Sequence, residues 1–181
     1  MTVRDIETKL TNDLKNKGAK VSNSAKELAE QTDLIITCLP SPKVCAEVME
    51  SPEGVINGLS KNKIWLEMST TDEEDMKSLS KKLLEKKAEV IEAPITGGQH
   101  RAESGNIAIL VGGERDSFNR AFPILSCIGH EILHCGEIGK ASTLKVVTNY
   151  LASINLLASQ ATWNIRPPGM DMDIGRISTV G

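Results

Sequence analysis

The side chains of this 181-residue sequence that can do chemistry gather in a few short segments. His130-Glu131-Ile132-Leu133-His134 spells the His-Glu-x-x-His pattern of zinc hydrolases. That chemistry needs a helix to turn both imidazoles to one side. Here Gly129 and Gly136 bracket a run that reads as a strand, in which residues four apart sit about 13 Å away from each other. His100 is the only other histidine, and no metal site is expected. Glu92-Ala93-Pro94-Ile95-Thr96-Gly97-Gly98 follows an apolar run, at the position where open α/β sheets bind ligands. Gly97 and Gly98 there either offer N–H groups to a carboxylate, with the Thr96 hydroxyl as a further donor, or make a tight turn that needs positive φ. Lys145 and Asn149 stand i, i+4 among Leu144, Val146 and Val147, so they share one helix face. Such a lysine either snorkels to water or is kept partly desolvated so that its pKa falls toward working pH.

Short apolar runs alternate with amphipathic stretches, the pattern of a sheet covered by helices. A helix is expected from Ile6 to Lys17, stopped by Gly18, with a short strand over 19–21. Ser24-Ala25-Lys26-Glu27 reads as a capping box, and Leu34 to Cys38 as a strand buried on both faces and paired in parallel. Ser41-Pro42 opens a helix to about Glu50, and Ile64 to Met68 forms the next strand. Thr71-Asp72-Glu73-Glu74 is a second capping box, opening a charged helix to about Lys87. Strands follow at Val90 to Glu92, Ile107 to Val111 and Glu131 to Cys135, with a helix over Asp116 to Leu125. A long, mostly apolar helix runs from about Lys140 to Trp163, and Pro167-Pro168-Gly169 ends it.

Composition removes several function classes. The net charge is −3 and only 3% of residues are aromatic, so neither a basic stripe for phosphate backbones nor a stacking platform for bases is available. Nucleic acid is not expected as a partner. No apolar run approaches the roughly 18 residues of a membrane span, and the first residues carry acid instead of a basic, apolar leader. These features point to the cytoplasm. Four cysteines without a Cys-x-x-Cys pair read as packing residues.

Taken in order, Leu39-Pro40, Met68-Ser69-Thr70, Glu92-Ala93-Pro94-Ile95-Thr96-Gly97-Gly98, Gly105 with Val111-Gly112-Gly113, and Gly136 to Gly139 leading to Lys145-x-x-x-Asn149 resemble the β-hydroxyacid dehydrogenases. This is the family of 3-hydroxyisobutyrate dehydrogenase, tartronate semialdehyde reductase and, more distantly, 6-phosphogluconate dehydrogenase. The resemblance implies hydride transfer between NAD(P) and a small 3-hydroxy acid of the 3-hydroxyisobutyrate or 2-hydroxy-3-oxopropionate type. It also implies roles: Leu39, Pro40 and Thr70 at the cofactor, Thr96, Gly97 and Gly98 on the substrate, Lys145 as general acid/base with Asn149 beside it. Three departures stand out: Thr96 where the family has Ser, Gly139-Lys140-Ala141 where it has Gly-x-Gly, and Thr148-Asn149 where it has Asn-Asn.

The expected architecture is therefore α/β, a Rossmann-like, mostly parallel sheet with flanking helices. It lacks the first βα unit, since no Gly-x-Gly-x-x-Gly occurs, and is followed by the long interdomain helix of a missing all-α domain. The domains fall at 1–138 for an incomplete nucleotide-binding unit, 139–165 for the helix carrying Lys145, and 166–181 for a remnant of the helical domain. This 181-residue chain alone is expected to be inactive, and the complete protein to be a homo-oligomer. Val3-Arg4-Asp5 sits where the second strand of the fold should end, and Asp5 is expected to accept hydrogen bonds from the adenosine ribose and so to favour NAD over NADP. The rival readings are a non-catalytic relative kept as a binding or oligomerisation module, which retention of Lys145 argues against, and a zinc hydrolase using His130 and His134.

Overall fold

Apolar runs become strands and the stretches between them helices in the computed structural model, which describes residues 1–164. The expectations for residues 166–181, including the stop at Pro167-Pro168-Gly169, lie outside the described residues. The order is β1 (Thr2–Val3), α1 (Thr8–Asn16), β2 (Lys20–Val21), α2 (Ala25–Gln31), β3 (Leu34–Thr37), α3 (Pro42–Glu50), α4 (Val55–Gly58) and β4 (Ile64–Glu67). Then come α5 (Glu73–Glu85), β5 (Glu89–Glu92), β6 (Ile95–Thr96), α6 (Gly98–Glu103), β7 (Ala108–Gly112), α7 (Arg115–Ile128), β8 (Glu131–Gly136) and α8 (Lys140–Asn164).

The main sheet has six strands. Within it β3, β4 and β5 pair in parallel, with Thr37, Glu67 and Glu92 aligned at their C-terminal ends. β7 runs antiparallel to β5 and β6 and parallel to β8. One face buries Cys45, Trp65, Met76 and Leu83 under α3 and α5; the other buries Leu66, Ile91, Ile109 and Leu125 under α7. Each such large side chain removed from water contributes about 1.5–3 kcal/mol.

β1 and β2 form a separate two-stranded parallel sheet. Between it and β3 runs a groove of about 350 Å³, lined by Thr2, Val3, Asp5, Leu34 and Ile36 among others. β1 and β3 do not pair with each other across it. The groove corrects one expectation. β3 is not buried on both faces, because α7 packs chiefly on β5, β7 and β8, and Ile36 is left 40% exposed.

Other differences are local. The first helix begins at Thr8, leaving Ile6 exposed outside it. Asp72, not Thr71, caps α5 by accepting from the Asp75 N–H, since Thr71 is buried while Asp72 faces the helix end. Of the cysteines only Cys45 is buried; Cys38 and Cys127 are exposed, so packing describes one thiol and not four. The helices α4 and α6 and the strand β6 were not visible in the sequence pattern, being of six residues or fewer.

Candidate functional site

The C-terminal ends of β3, β4 and β5 meet along one edge, and a buried glutamate closes each of the last two strands. Glu67 Oε2 accepts from the Thr37 hydroxyl at 2.5 Å and the Cys45 thiol at 2.9 Å, while Oε1 accepts from the Ser69 N–H at 2.6 Å. Ser69 Oγ in turn accepts from the Leu39 N–H at 2.7 Å. The Leu39-Pro40 and Ser69-Thr70 loops are thus tied to one carboxylate. Pro40 and Thr70 are exposed at the edge, available to a ligand. Burial, with the Glu67 charge added to it, pushes the Cys45 thiol far above its ordinary pKa, which keeps it a neutral donor.

Past β5 the chain continues through Pro94 to Thr96 in β6, then turns at Gly97 (φ 123°) and Gly98 (φ 80°). Both glycines adopt the left-handed region that favours their type, so the turn requirement is real. Both are also exposed, and a Cβ on Gly98 would meet nothing within 4 Å, so the space in front of that turn is open.

α8 packs against β6, β7, β8 and α5, which brings the Lys145 helix onto the strand that carries Thr96. Lys145 is 9% exposed, and burial holds its ammonium below the usual lysine range. No hydrogen bond or ion pair to its Nζ exists among the described residues. Asn149 lies one turn further along and is exposed.

Asp5 does not join this cluster. It follows β1 on the far side of the groove, where its Oδ1 accepts from the Glu7 N–H at 2.8 Å. Glu7, not Asp5, stands at the N-cap position just before α1. His130 immediately precedes β8 and His134 lies within it, with its Nε2 2.9 Å from the Gly113 carbonyl. Among the described residues no group of His, Cys, Asp or Glu could hold a metal ion.

Asp5 on one side and the exposed Pro40 and Thr70 loops on the other are the groups among the described residues that would take the two ends of a dinucleotide. They do not fit its pyrophosphate, for which the sequence has no Gly-x-Gly-x-x-Gly turn. Glu67, Ser69, Glu92 and Ser142 carry the site's internal bonds without having stood out as candidates. For the two glutamates a signal was present in the repeated pattern of an apolar run ending in glutamate, Ile64-Trp65-Leu66-Glu67 and Val90-Ile91-Glu92; the serines had none.

Comparison with known proteins bears on the same arrangement. The family model for the NAD binding domain of 6-phosphogluconate dehydrogenase matches residues 1–136. The mitochondrial 3-hydroxyisobutyrate dehydrogenase of Mus musculus is 32% identical over 161 residues, covering 89% of this chain and 48% of that protein. The solved structure of Mycobacterium tuberculosis 3-hydroxyisobutyrate dehydrogenase with L-serine superposes with a TM-score of 0.80 at 25% identity, over 87% of this chain and 54% of that one. The structure of Psf3 in complex with NADP+ and 2-OPP has a TM-score of 0.86 at 23% identity, over 94% of this chain and 62% of that one, a likeness of fold. The chain spans about half the length of the curated relatives it matches. No helix among the described residues is long and apolar enough to cross a membrane. Built on a Rossmann-like α/β sheet with a long following helix, and matched along most of its length by that NAD-binding domain, the chain belongs to the β-hydroxyacid dehydrogenase family.

Proposed function

We propose that the chain forms the nucleotide-binding region and catalytic helix of a dehydrogenase acting on a small 3-hydroxy acid of the 3-hydroxyisobutyrate type, with NAD as its cofactor. The observation that carries this reading is Lys145, nearly buried, without an ion-pair partner among the described residues, and held by burial below the usual lysine range. A proton-transfer group needs a pKa brought toward working pH. In the oxidative direction Lys145 Nζ takes the substrate hydroxyl proton as the carbonyl forms, and it returns that proton in reduction. NAD+, when bound, supplies the acceptor for the hydride leaving the same carbon.

Asn149, one turn along, orients the substrate hydroxyl. Thr96, Gly97 and Gly98 hold the substrate carboxylate through a hydroxyl and backbone donors, which is positioning. Leu39, Pro40 and Thr70 line the nicotinamide end, and Asp5 takes the ribose. In this reading 1–138 is the nucleotide-binding domain, 139–165 the interdomain helix and 166–181 the start of a helical domain. Val146, Val147, Tyr150, Leu151 and Leu157, all exposed on α8, support cover by such a domain and by a second subunit in a homo-oligomer. A cytoplasmic location belongs to the same proposal; the mitochondrial names of relatives make cell fractionation its check.

The test is NAD+-dependent oxidation of a panel of 3-hydroxy acids by the chain alone and by a form completed with a glycine-rich βα unit before Met1 and a helical domain after α8. Turnover by the completed form alone is expected. A completed form that binds NADH yet oxidises no 3-hydroxy acid would instead favour the non-catalytic module.

A further inference from the structure

α8 begins where β5 ends, and the junction is a single carboxylate. The first N–H groups of a helix find no partner within it. Here those of Gly139 and Ala141 donate to Glu92 Oε1 at 2.7 and 2.9 Å, and the Ser142 hydroxyl donates to Glu92 Oε2 at 2.5 Å. Glu92 has 0% exposure. A carboxylate so deep is sustained by these donors and by the positive end of a 25-residue helix. Its room is provided by Gly112, its register partner on β7, where a Cβ would stand 2.2 Å from Oε1.

The helix carries this anchorage to Lys145. At 100° per residue, a side chain four after Ala141 and three after Ser142 lies on the face those two define. That face is the buried one: Ala141 is 0%, Ser142 1% and Lys145 9% exposed. A slip of one residue at the helix start would swing the lysine by about 100° and move it about 1.5 Å along the axis. Since Nζ has no bonding partner among the described residues, its position is set by where the helix begins.

We propose that Glu92 is the positioning residue of Lys145, a buried carboxylate on the sheet that fixes the phase and depth of α8 and so presents the amine at the sheet's C-terminal edge. The inference rests on the reading of Lys145 as the proton-transfer group. The competing role for Glu92 is a helix cap that adds stability and nothing more.

The titration of Lys145 separates the two, followed by NMR of labelled lysine in the 181-residue chain with the signal assigned through Lys145→Arg. In the parent the midpoint is expected below that of the surface lysines. Glu92→Ala should move it up toward theirs. Glu92→Gln, which keeps an oxygen for the two N–H donors, should hold it near the parent value. A Glu92→Ala protein with lowered Tm but an unmoved midpoint would reduce Glu92 to a cap and overturn the proposal. If that variant does not fold, Ser142→Ala decides, since it removes one of the bonds: an upward shift supports positioning and an unmoved midpoint overturns it. An ordinary midpoint in the parent would sink the reading of Lys145 and the positioning role with it, whereas a depressed midpoint indifferent to these changes would sink the positioning role alone. In a completed enzyme Glu92→Ala should lower kcat by roughly 10²-fold, the cost of an ångström-scale misplacement, with KM for NAD unchanged.

Discussion

Glu67 and Glu92 are register partners across β4 and β5, and both side chains are fully buried. Neighbouring strands lie about 4.8 Å apart, a spacing at which two bare carboxylates would repel strongly. They coexist because each spends its oxygens on different donors. Glu67 faces Thr37, Cys45 and Ser69 and gathers the loops after β3 and β4, while Glu92 faces the first turn of α8. The pair divides the edge of the sheet into a side for the proposed cofactor and a side for Lys145.

Replacing Glu67 by Ala should therefore destabilise the fold although no opposite charge is lost. The Thr37 hydroxyl, the Cys45 thiol and the Ser69 N–H would be left without their acceptor, and each unsatisfied buried group costs about 1–3 kcal/mol. Urea unfolding should show a loss of roughly 2–4 kcal/mol after partial relaxation. A variant within about 0.5 kcal/mol of the parent would mean that water replaces the carboxylate at no cost.

The same carboxylate governs thiol chemistry. Burial first, and the Glu67 charge second, raise the Cys45 pKa, and the thiolate is the reacting species. Alkylation near neutral pH followed by mass spectrometry should find Cys45 the last of the thiols to react. Glu67→Gln should speed Cys45 by removing the charge. An unchanged rate in that variant would assign the protection to burial alone.

Lys145→Met in a completed enzyme should cut kcat by about 10²–10⁴-fold while NAD affinity barely changes, because a proton-transfer group is removed and the nucleotide contacts stay. Near-normal turnover would sink the assignment. Burial lowers the folded-state pKa of Lys145 below its unfolded value, so the cost of burying its charge is fully present below the folded value. That cost is relieved as pH rises toward the unfolded value. Stability should accordingly rise with pH through that alkaline window in the parent and less so in Lys145→Met.

Much of this was legible in the sequence, for identifiable reasons. The strands at Leu34, Ile64 and Val90 and the helix caps at Ser24 and Ser41 rest on local patterns, and the structure keeps them. The exposure of Ile36 was not legible, because it depends on which helix covers which strand, and α7 packs chiefly on β5, β7 and β8. The bonds of Glu92 span 47 to 50 residues to Gly139, Ala141 and Ser142, a separation at which no local spacing carries information. Gly112 could be read as a glycine, but not as the space for a carboxylate on the neighbouring strand.

The chain alone should bind NADH weakly or not at all by calorimetry. Pyrophosphate is held by N–H groups of a glycine-rich turn at a helix N-terminus, and the sequence contains no such turn. The loops at Leu39 and Thr70 are proposed for the other end of the molecule and would not replace those donors. Micromolar affinity would show that the pyrophosphate has a different site on this chain.

Cofactor preference turns on the end of β1. The strand stops at Val3, so strand alternation does not turn Arg4 away from Asp5; Arg4 lies outside the ladder and its guanidinium donates to the Asp5 carbonyl. The arginine therefore sits beside the acid, within reach of the place a 2′-phosphate would take. Three features still favour NAD. Asp5 Oδ1 is fixed by the Glu7 N–H, which orients the carboxylate and leaves Oδ2 for a ribose hydroxyl. Glu7 adds a second negative charge against a 2′-phosphate. Arg4 is already engaged by a carbonyl and would have to leave it to reach a phosphate. In a completed enzyme kcat/KM should be higher with NAD+ than with NADP+, and Asp5→Ala should narrow the ratio while Arg4→Ala leaves it in place. A preference for NADP+ that collapses in Arg4→Ala would assign the reading of the ribose to the arginine instead.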